Sequence, residues 1–274
     1  MIGAIIGDIL GSTYEVHNIK SKEFEIFTED DRYTDDSVLT CAVANACVMY
    51  QKDRNLYKFK RNLIIQMQRL GLTHPYAGYG GMFVKWLLEP VPYNSFGNGS
   101  AMRVSPIAWI SETLEDTLYL AKISAEVSHN HEEGIKGAQA VAATIFLLRS
   151  GMDKVAVKKY INDNFYRLDF TLDEIRDTYK FDVTCQGSVP QALQAFFEAN
   201  SFEDTIRNAI SIGGDSDTIA AIAGSVAEAY YEVPKEMIDI AMTYLDVPLE
   251  KSVLSFYENV PTVKCSVKQD NRGI

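Results

Sequence analysis

Cysteine is scarce in this chain of 274 residues, and the four that occur are far apart. They form no CxxC pair, so neither a disulfide scaffold nor a thiolate zinc site is expected. Reduced thiols are the expected state of such residues in a cytoplasmic protein. The four residues are Cys41, Cys47, Cys185 and Cys265.

Positive charge is in deficit, with 26 Lys and Arg residues against 37 Asp and Glu residues and a formal net charge of −11. A protein that wraps nucleic acid by neutralising its phosphates is therefore not expected. An acidic balance of this kind suits a site that collects cations.

Long apolar runs are also missing, since none reaches the roughly 18–20 residues of a membrane span. The apolar stretch 1–10 lacks the basic region that precedes the apolar part of a signal peptide. We therefore predict a cytoplasmic protein with no membrane segment.

Several catalytic motifs are absent as well. The GxSxG motif of the nucleophile-elbow hydrolases does not occur, and no Ser/His/Asp triad can be recognised. The chain also lacks HExxH, the P-loop and the GxGxxG dinucleotide motif. These absences leave metal-dependent chemistry to be considered.

Helical periodicity dominates what is present, and only residues 23–27 alternate as a short strand would. No linker divides the chain, so the expected architecture is all-α, with one compact multi-helix domain over residues 1–258 and a poorly packed tail over 259–274. Helices are predicted at 3–12, after Thr34, and at 56–70, 80–89, 100–110, 113–127, 131–149, 153–163, 171–179, 188–198, 202–211, 215–230, 234–244 and 249–258.

An acidic stretch opens one predicted buried helix. Thr34 stands at the N-cap position, and Asp35 and Asp36 follow in the first turn, before Ser37. Such residues commonly cap a helix and complement its dipole. Thr hydroxyls and carboxylates are also the oxygen ligands that Mg²⁺ and Mn²⁺ prefer.

A second acidic stretch, Gly213 to Thr218, opens another predicted buried helix and carries Asp215 and Asp217. The simpler interpretation is again an N-cap, here at Asp215 or Ser216. If the fold brings both helix starts together, four carboxylates would converge and repel one another unless cations neutralised them. Two divalent ions would satisfy such a site.

Four further features have weaker interpretations. Glu15 follows a Gly-containing helix and would usually be solvated. The loop 94–100 is rich in Asn, Ser and Gly, as turns are, but its free amides could also bind phosphate. His129 and His131 favour polar contacts or an anionic ligand over zinc. Tyr79 lies in an aromatic-glycine stretch that suits packing or stacking on a base.

Taken together and in order, these segments resemble the ADP-ribosylglycohydrolase family, which includes the dinitrogenase-reductase-activating glycohydrolase. The resemblance runs from Gly3 to about Pro234. The matching stretches are GAIIGDILGSTYE (3–15), TDDS (34–37), YAGYGGMF (76–83), YNSFGNGSAMRVSPIAW (93–109), SHNHEEGIKGAQAVA (128–142) and AISIGGDSDTIAAIAGSVAEAYY (209–231).

The resemblance implies a single all-α domain with two Mg²⁺ or Mn²⁺ ions at the base of a cleft. The implied metal ligands are Glu15, Thr34, Asp35, Asp36, Asp215, Asp217 and Thr218. The implied substrate-binding residues are Gly97, Asn98, Gly99, Ser100 and His129, together with an aromatic side chain for which Phe96 and Tyr79 are the candidates.

The activity implied is metal-dependent hydrolysis of the glycosidic bond of an ADP-ribosyl group, with release of ADP-ribose. Glu15 and Asp36 are both candidates for proton transfer. The expected substrate is an ADP-ribosylated protein or small-molecule conjugate, and nucleic acid is expected only in ADP-ribosylated form. Neither the acceptor nor the oligomeric state is indicated by the sequence.

Two alternatives stay open. One is a catalytically inactive member that binds ADP-ribose or a nucleotide, and the other is a hydrolase of another ribosyl or nucleotide conjugate. Ser37 and Glu228 depart from the commoner Thr and Gly of the family at these positions, but neither is an implied ligand.

Overall fold

The computed structural model describes residues 1–260, and these residues form helices and loops with no β-strand. The expected all-α fold is therefore confirmed. The helices are α1 (Ile2–Val16), α2 (Asp35–Asp53), α3 (Leu56–Thr73), α4 (Gly81–Leu88), α5 (Gly99–Met102), α6 (Ser105–Ile110), α7 (Leu114–Glu126), α8 (Glu132–Arg149), α9 (Lys154–Asn164), α10 (Leu172–Ile175), α11 (Cys185–Glu198), α12 (Phe202–Ile210), α13 (Ser216–Ala227), α14 (Lys235–Tyr244) and α15 (Val247–Asn259).

Polar side chains fix where most of these helices begin. In each case a side-chain oxygen or imidazole nitrogen at the N-cap accepts a hydrogen bond from a backbone N–H of the first turn, which would otherwise lack a partner. The capping residues are Thr34, Asn55, Thr113, His131, Asp153, Thr171, Thr184, Ser201 and Asp246.

The centre of the domain is the antiparallel pair α1 and α13. All of α13 and the first eleven residues of α1 are buried, as expected for helices that are apolar on every face. Glycines let the two backbones approach closely: a Cβ on Gly7 would lie 2.0 Å from the carbonyl oxygen of Ala220, and one on Gly3 would lie 2.2 Å from that of Gly224. This register brings the later part of α1 beside the start of α13.

Glu228 follows α13 and ties three helices together. Its carboxylate accepts a hydrogen bond of 2.8 Å from the backbone N–H of Gly3, at the start of α1. The hydroxyl of Tyr257, on α15, also donates to it. Glu228, which stands where glycine is commoner in the family, therefore holds helices together at a distance from the acidic stretches.

Three local expectations differ from the structure. The segment 23–27 is a loop and not a strand. The predicted helix 100–110 is divided into α5 and α6, and Pro106 occupies the first turn of α6, where its missing N–H costs nothing. The predicted helix 171–179 is reduced to α10. Of the predicted tail 259–274, residues 261–274 lie outside the described residues.

The described helices include none that is long and apolar enough to cross a membrane.

We expect Gly7→Ala to destabilise the domain strongly, because the new methyl group would meet backbone atoms of α13 that cannot move without separating the two helices. The melting temperature measured by circular dichroism should fall by about 5 °C or more. Gly81→Ala is the matched control, since a Cβ there meets nothing within 4 Å. Equal melting temperatures for the two variants would contradict this account of the helix pair.

Candidate metal and substrate site

The two acidic stretches meet at one cavity of about 640 Å³. Asp35 and Asp36 at the start of α2, Asp215 and Asp217 at the start of α13, and Glu15 at the end of α1 all line it. Residues that are about 180 positions apart in the chain therefore share one site, as the family resemblance implies.

The carboxylates form two groups that share one member. Asp8, Asp36 and Asp217 make up the first group, and Glu15, Asp215 and Asp217 make up the second. Within each group one oxygen of every residue lies within 4.8 Å of the others. Asp35 lines the same cavity but belongs to neither group.

Asp8 organises the start of α2. Its Oδ1 accepts a hydrogen bond of 2.6 Å from the Thr34 hydroxyl, and its Oδ2 accepts from the amides of Thr34 and Ser37 at 2.9 and 3.0 Å and from the Ser37 hydroxyl. Because Thr34 Oγ1 gives its proton to Asp8, its lone pairs are left to act as acceptors. Ser37 stands where threonine is commoner in the family, and its hydroxyl makes this hydrogen bond to Asp8 without the extra methyl group.

Asp8 was not among the predicted ligands. The only signal for it in the sequence is a carboxylate inside the apolar run of α1, where burial without polar partners would be costly. Its partners come from a segment 26 to 29 residues away, so the sequence could not supply them.

The start of α13 is shaped by the turn that precedes it. Gly213 and Gly214 have φ angles of +66° and +83°, which favour glycine. The exposed side chain of Asn18 holds this turn next to α1: its Nδ2 donates to the carbonyl oxygens of Glu15 and Gly214, both at 3.0 Å. Asn18 thus couples the end of α1 to the turn before Asp215.

Asp215 does not cap α13, because its side chain accepts no hydrogen bond from the first turn. Its Oδ2 instead accepts a hydrogen bond of 2.6 Å from Nδ2 of Asn98, which also donates to the Ser188 hydroxyl. The N-cap interpretation therefore fails for Asp215, while Thr34 both caps α2 and lines the cavity.

The carboxylates of this acidic floor make no ion pair with a side chain in the described residues, although Arg32 lines the same cavity. None of the ion pairs found within residues 1–260 involves a carboxylate of either group or Asp35. Burial raises the pKa of Asp36 and Asp217 well above the usual range, and their carboxylate neighbours raise it further. Burial and the charges of Asp8 and Asp215 raise the pKa of Asp35 to about 8.

The floor fits a hard cation. Oδ1 of Asp36 is buried without a hydrogen-bond donor, which is unusual for a carboxylate oxygen in a protein interior. The hydroxyl of Thr218 lies 3.1 Å from the other oxygen of Asp36. Carboxylate and hydroxyl oxygens at this spacing are the ligands of divalent cations such as Mg²⁺.

The predicted substrate loop forms one wall of the cavity. Phe96, Gly97, Asn98 and Gly99 line it, and the backbone of Asn98 is held by a hydrogen bond of 2.8 Å to the carbonyl oxygen of Val183. Ser100 is buried and is not part of the lining, because its hydroxyl donates to the carbonyl oxygen of Gly134 at 2.7 Å.

His129 also lines the cavity, and it is buried and neutral. Burial, followed by the charge of Arg103, lowers its pKa well below the usual value. The ring of Phe96 is 45% exposed at the cavity wall, so it is the better placed of the two aromatic candidates. Tyr79 is not among the lining residues and packs on Phe83 with ring centroids 5.7 Å apart.

Part of the cavity wall consists of residues that were not predicted from the sequence. Arg32, Met82, Phe181 and Val183 line the cavity, and Phe181 is 56% exposed there. These residues come from loops and from the first turn of α4, and no recognisable motif surrounds Arg32, Phe181 or Val183. Only the fold brings them to the site.

The comparisons with known proteins agree with this geometry. A family model described as ADP-ribosylglycohydrolase matches residues 1–246. The chain belongs to the ADP-ribosylglycohydrolase family. The recognition made from the motifs is thereby confirmed.

The relatives of this chain have low sequence identity to it. The human ADP-ribosylhydrolase ARH3 is 25% identical over 84% of this chain and 84% of its own length. The ADP-ribosylarginine hydrolase Tri1 of Pseudomonas putida (strain GB-1) is 30% identical over 56% of this chain and 46% of its own. The family match and these relatives support the assignment of this protein as a hydrolase that acts on ADP-ribosyl groups.

A solved structure shares the fold. It is described as an ADP-ribosylglycohydrolase-related protein complex, and it superposes with a TM-score of 0.67 at 21% sequence identity. The match covers 94% of this chain and 97% of that one. The single all-α architecture is therefore the fold of the ADP-ribosylglycohydrolase family.

In the absence of divalent cations, we expect the free energy of unfolding to fall as pH rises from about 4 to about 8. The pKa of Asp35, Asp36 and Asp217 is higher in the folded state, so the folded state binds more protons than the unfolded state across this window. Losing those protons leaves repelling charges. Urea denaturation of EDTA-treated protein at several pH values measures the effect.

Asp217→Asn is the control for this pH dependence, since it removes the carboxylate that both groups share. The slope of stability against pH should be smaller in the variant, and saturating Mg²⁺ should reduce it in the wild type. A wild-type free energy of unfolding that is constant or rises over this window would contradict the account.

Proposed function

We propose that this protein hydrolyses the glycosidic bond between an ADP-ribosyl group and its acceptor, and so releases ADP-ribose. The observation that carries the proposal is the pair of acidic groups, joined through Asp217, at the floor of a cavity whose wall is the loop 96–99. Membership of the ADP-ribosylglycohydrolase family supports the reaction class.

The acidic floor is proposed to hold two divalent cations, Mg²⁺ or Mn²⁺. The orphaned Oδ1 of Asp36 and the absence of a Lys or Arg partner among the described ion pairs support this assignment. When bound, such cations polarise a coordinated sugar and lower the pKa of a bound water towards neutrality. The proposed ligands are Glu15, Thr34, Asp35, Asp36, Asp215, Asp217 and Thr218, with Asp8 holding Thr34 in place.

Proton transfer is assigned to Glu15 in preference to Asp36. Glu15 is half-buried, so its carboxylate can reach both water and ligand. Burial and the charge of Asp215 raise its pKa, which brings a carboxylate closer to the range of an effective general base. Asp36 is almost fully buried, and Thr218 already donates to one of its oxygens, which suits a cation ligand better.

The wall of the cavity is proposed to hold the nucleotide part of the substrate. The amide of Gly99, which lines the cavity, donates to no acceptor within residues 1–260, so it is available for a diphosphate oxygen. Ser100 is buried outside the lining and its hydroxyl is committed to Gly134, so we assign it the role of holding the loop in place. Phe96 offers a ring face for stacking, and His129 faces the ribose.

The proposed substrates are ADP-ribosylated proteins or small-molecule conjugates, with nucleic acid included only in ADP-ribosylated form. One relative is named an ADP-ribosylarginine hydrolase, so an arginine linkage belongs in the test set. We place the enzyme in the cytoplasm, because Cys41, Cys47 and Cys185 are buried free thiols. A panel of arginine-, serine-, nucleic-acid- and small-molecule-linked ADP-ribose conjugates identifies the acceptor.

Two competing functions are separated by the same panel when free ADP-ribose and other ribosyl and nucleotide conjugates are added to it. A binding protein without activity would take up ADP-ribose but release none from any conjugate in the presence of Mn²⁺. A hydrolase of another ribosyl or nucleotide conjugate would turn over those substrates while leaving every ADP-ribosyl linkage intact.

We expect EDTA to abolish hydrolysis, and added Mg²⁺ or Mn²⁺ to restore it. Asp215→Asn and Asp35→Asn should each lower turnover by at least about 100-fold, because each removes a carboxylate proposed to hold a cation that contributes several kcal/mol to catalysis. Release of ADP-ribose is the measurement, and circular dichroism checks that the fold is kept.

Asp169→Asn provides the matched control, since it removes the same charge from an exposed position outside the cavity. Its turnover should equal that of the wild type. Full activity in Asp215→Asn, or activity that resists EDTA, would reject the metal-dependent mechanism.

A further inference from the structure

A buried chain of hydrogen bonds begins at Arg103 and ends at His129, and both residues line the cavity. Nη2 of Arg103 donates to the Ser128 hydroxyl at 2.8 Å, and that hydroxyl lies 2.8 Å from Nδ1 of His129. The same Nη2 also donates to the carbonyl oxygen of Ser124 at 3.1 Å. Arg103 and Ser128 are fully buried, so water does not compete for these contacts.

The direction of this chain follows from what each group can do. A guanidinium carries donors only, so the Ser128 oxygen must accept from Arg103. The Ser128 hydroxyl proton is then free to be donated to Nδ1 of His129. A neutral imidazole that accepts at Nδ1 carries its own proton on Nε2.

The opposite tautomer leaves a polar group without a partner. If Nδ1 carried the proton, His129 and Arg103 would both donate to the Ser128 oxygen. The Ser128 hydroxyl proton would then face no acceptor among its contacts in the described chain. An unsatisfied buried donor costs roughly 1–3 kcal/mol, so the equilibrium favours the proton on Nε2.

Nε2 of His129 points at the substrate loop. It lies 3.0 Å from where a Cβ would stand on Gly99 and 3.5 Å from where one would stand on Gly97. No hydrogen bond to this nitrogen is found within residues 1–260. The imidazole is uncharged at neutral pH, because burial and the charge of Arg103 lower its pKa.

We infer that Arg103 and Ser128 are positioning residues that hold His129 in the Nε2–H tautomer, so that it presents a hydrogen-bond donor to an oxygen atom of the bound ADP-ribosyl group. The identity of the ligand rests on the proposed function. The tautomer itself rests on the geometry of the three residues and on the neutral charge of the buried imidazole.

The tautomer is measured by ¹H–¹⁵N correlation spectroscopy of the full chain labelled with ¹⁵N-histidine, with His129→Gln used to assign the signal. We expect Nδ1 of His129 to show the shift of an unprotonated nitrogen and Nε2 that of a protonated one. A protonated Nδ1 in the wild type would overturn the inference, whatever the protein is found to hydrolyse.

Ser128→Ala removes the bridging hydroxyl and should abolish the preference for one tautomer. The dissociation constant of ADP-ribose, measured by calorimetry, should rise by about three- to tenfold, as expected for the loss of one neutral hydrogen bond. Ser124→Ala is the matched control: its buried hydroxyl has no partner, and its carbonyl contact with Arg103 survives the substitution.

We expect Ser124→Ala to leave both the tautomer of His129 and the dissociation constant of ADP-ribose unchanged. An unchanged tautomer in Ser128→Ala would overturn the inference, as would equal weakening of binding in the two variants, which indicates a packing effect. If the wild type fails to bind ADP-ribose, the role assigned towards the ligand fails with the proposed function, and the spectra still decide the tautomer.

Discussion

Repulsion among buried carboxylates is the constraint on which this architecture depends. Asp8, Asp36 and Asp217 are nearly inaccessible to water, and their oxygens lie within 4.8 Å of one another without a cationic side chain beside them. Such an arrangement opposes folding unless donors and ions offset the charge. The protein provides donors only in part: Asp8 is saturated by Thr34 and Ser37, whereas one oxygen of Asp36 has none.

The helix pair at the centre of the domain makes this crowding possible. The glycines of α1 recur every four residues and lie on one face, so that face can contact the backbone of α13 directly. At the far end of the contact, a Cβ on Gly11 would lie 2.5 Å from Cα of Asp217. The close packing that stabilises the domain therefore also sets the separation of Asp8 and Asp217. Stability and the acidic floor are consequences of the same contact.

The α-helical class and the importance of both acidic stretches can be predicted from the sequence, because both depend on residues that are close together in the chain. Periodicity, N-caps and neighbouring carboxylates are all visible within a few residues. The sequence did not identify Asp8 as part of the floor, or Asn18 as the link between α1 and the turn at Gly214, because the partners of both are distant in the chain. Phe181 reaches the cavity only through the path of its loop.

The division of helix 100–110 has a physical cause that a periodicity argument overlooks. Apolar spacing continues through this segment, but Arg103 and Val104 lie between α5 and α6. The break leaves the buried guanidinium of Arg103 in contact with Ser124 and Ser128. A continuous helix would satisfy the hydrophobic pattern equally well, but it would place Pro106 in its interior, where the missing N–H and the ring are unfavourable.

Charge is distributed unevenly over the cavity. This distribution favours binding of the proposed cations before binding of the proposed substrate. The floor carries Glu15, Asp35, Asp36, Asp215 and Asp217, whereas the part of the wall formed by residues 96–99 and His129 carries no charge. Arg32 and Arg103 add positive charge elsewhere in the lining. An anionic nucleotide would be repelled by those floor carboxylates that are ionised when no cation is bound, in a protein whose net charge is already −11. Cations bound to the floor would reverse that potential where the ribose is proposed to lie. The wall would not need to change its charge, because the backbone amides and the neutral imidazole proposed to bind phosphate and ribose oxygens are the same in either state.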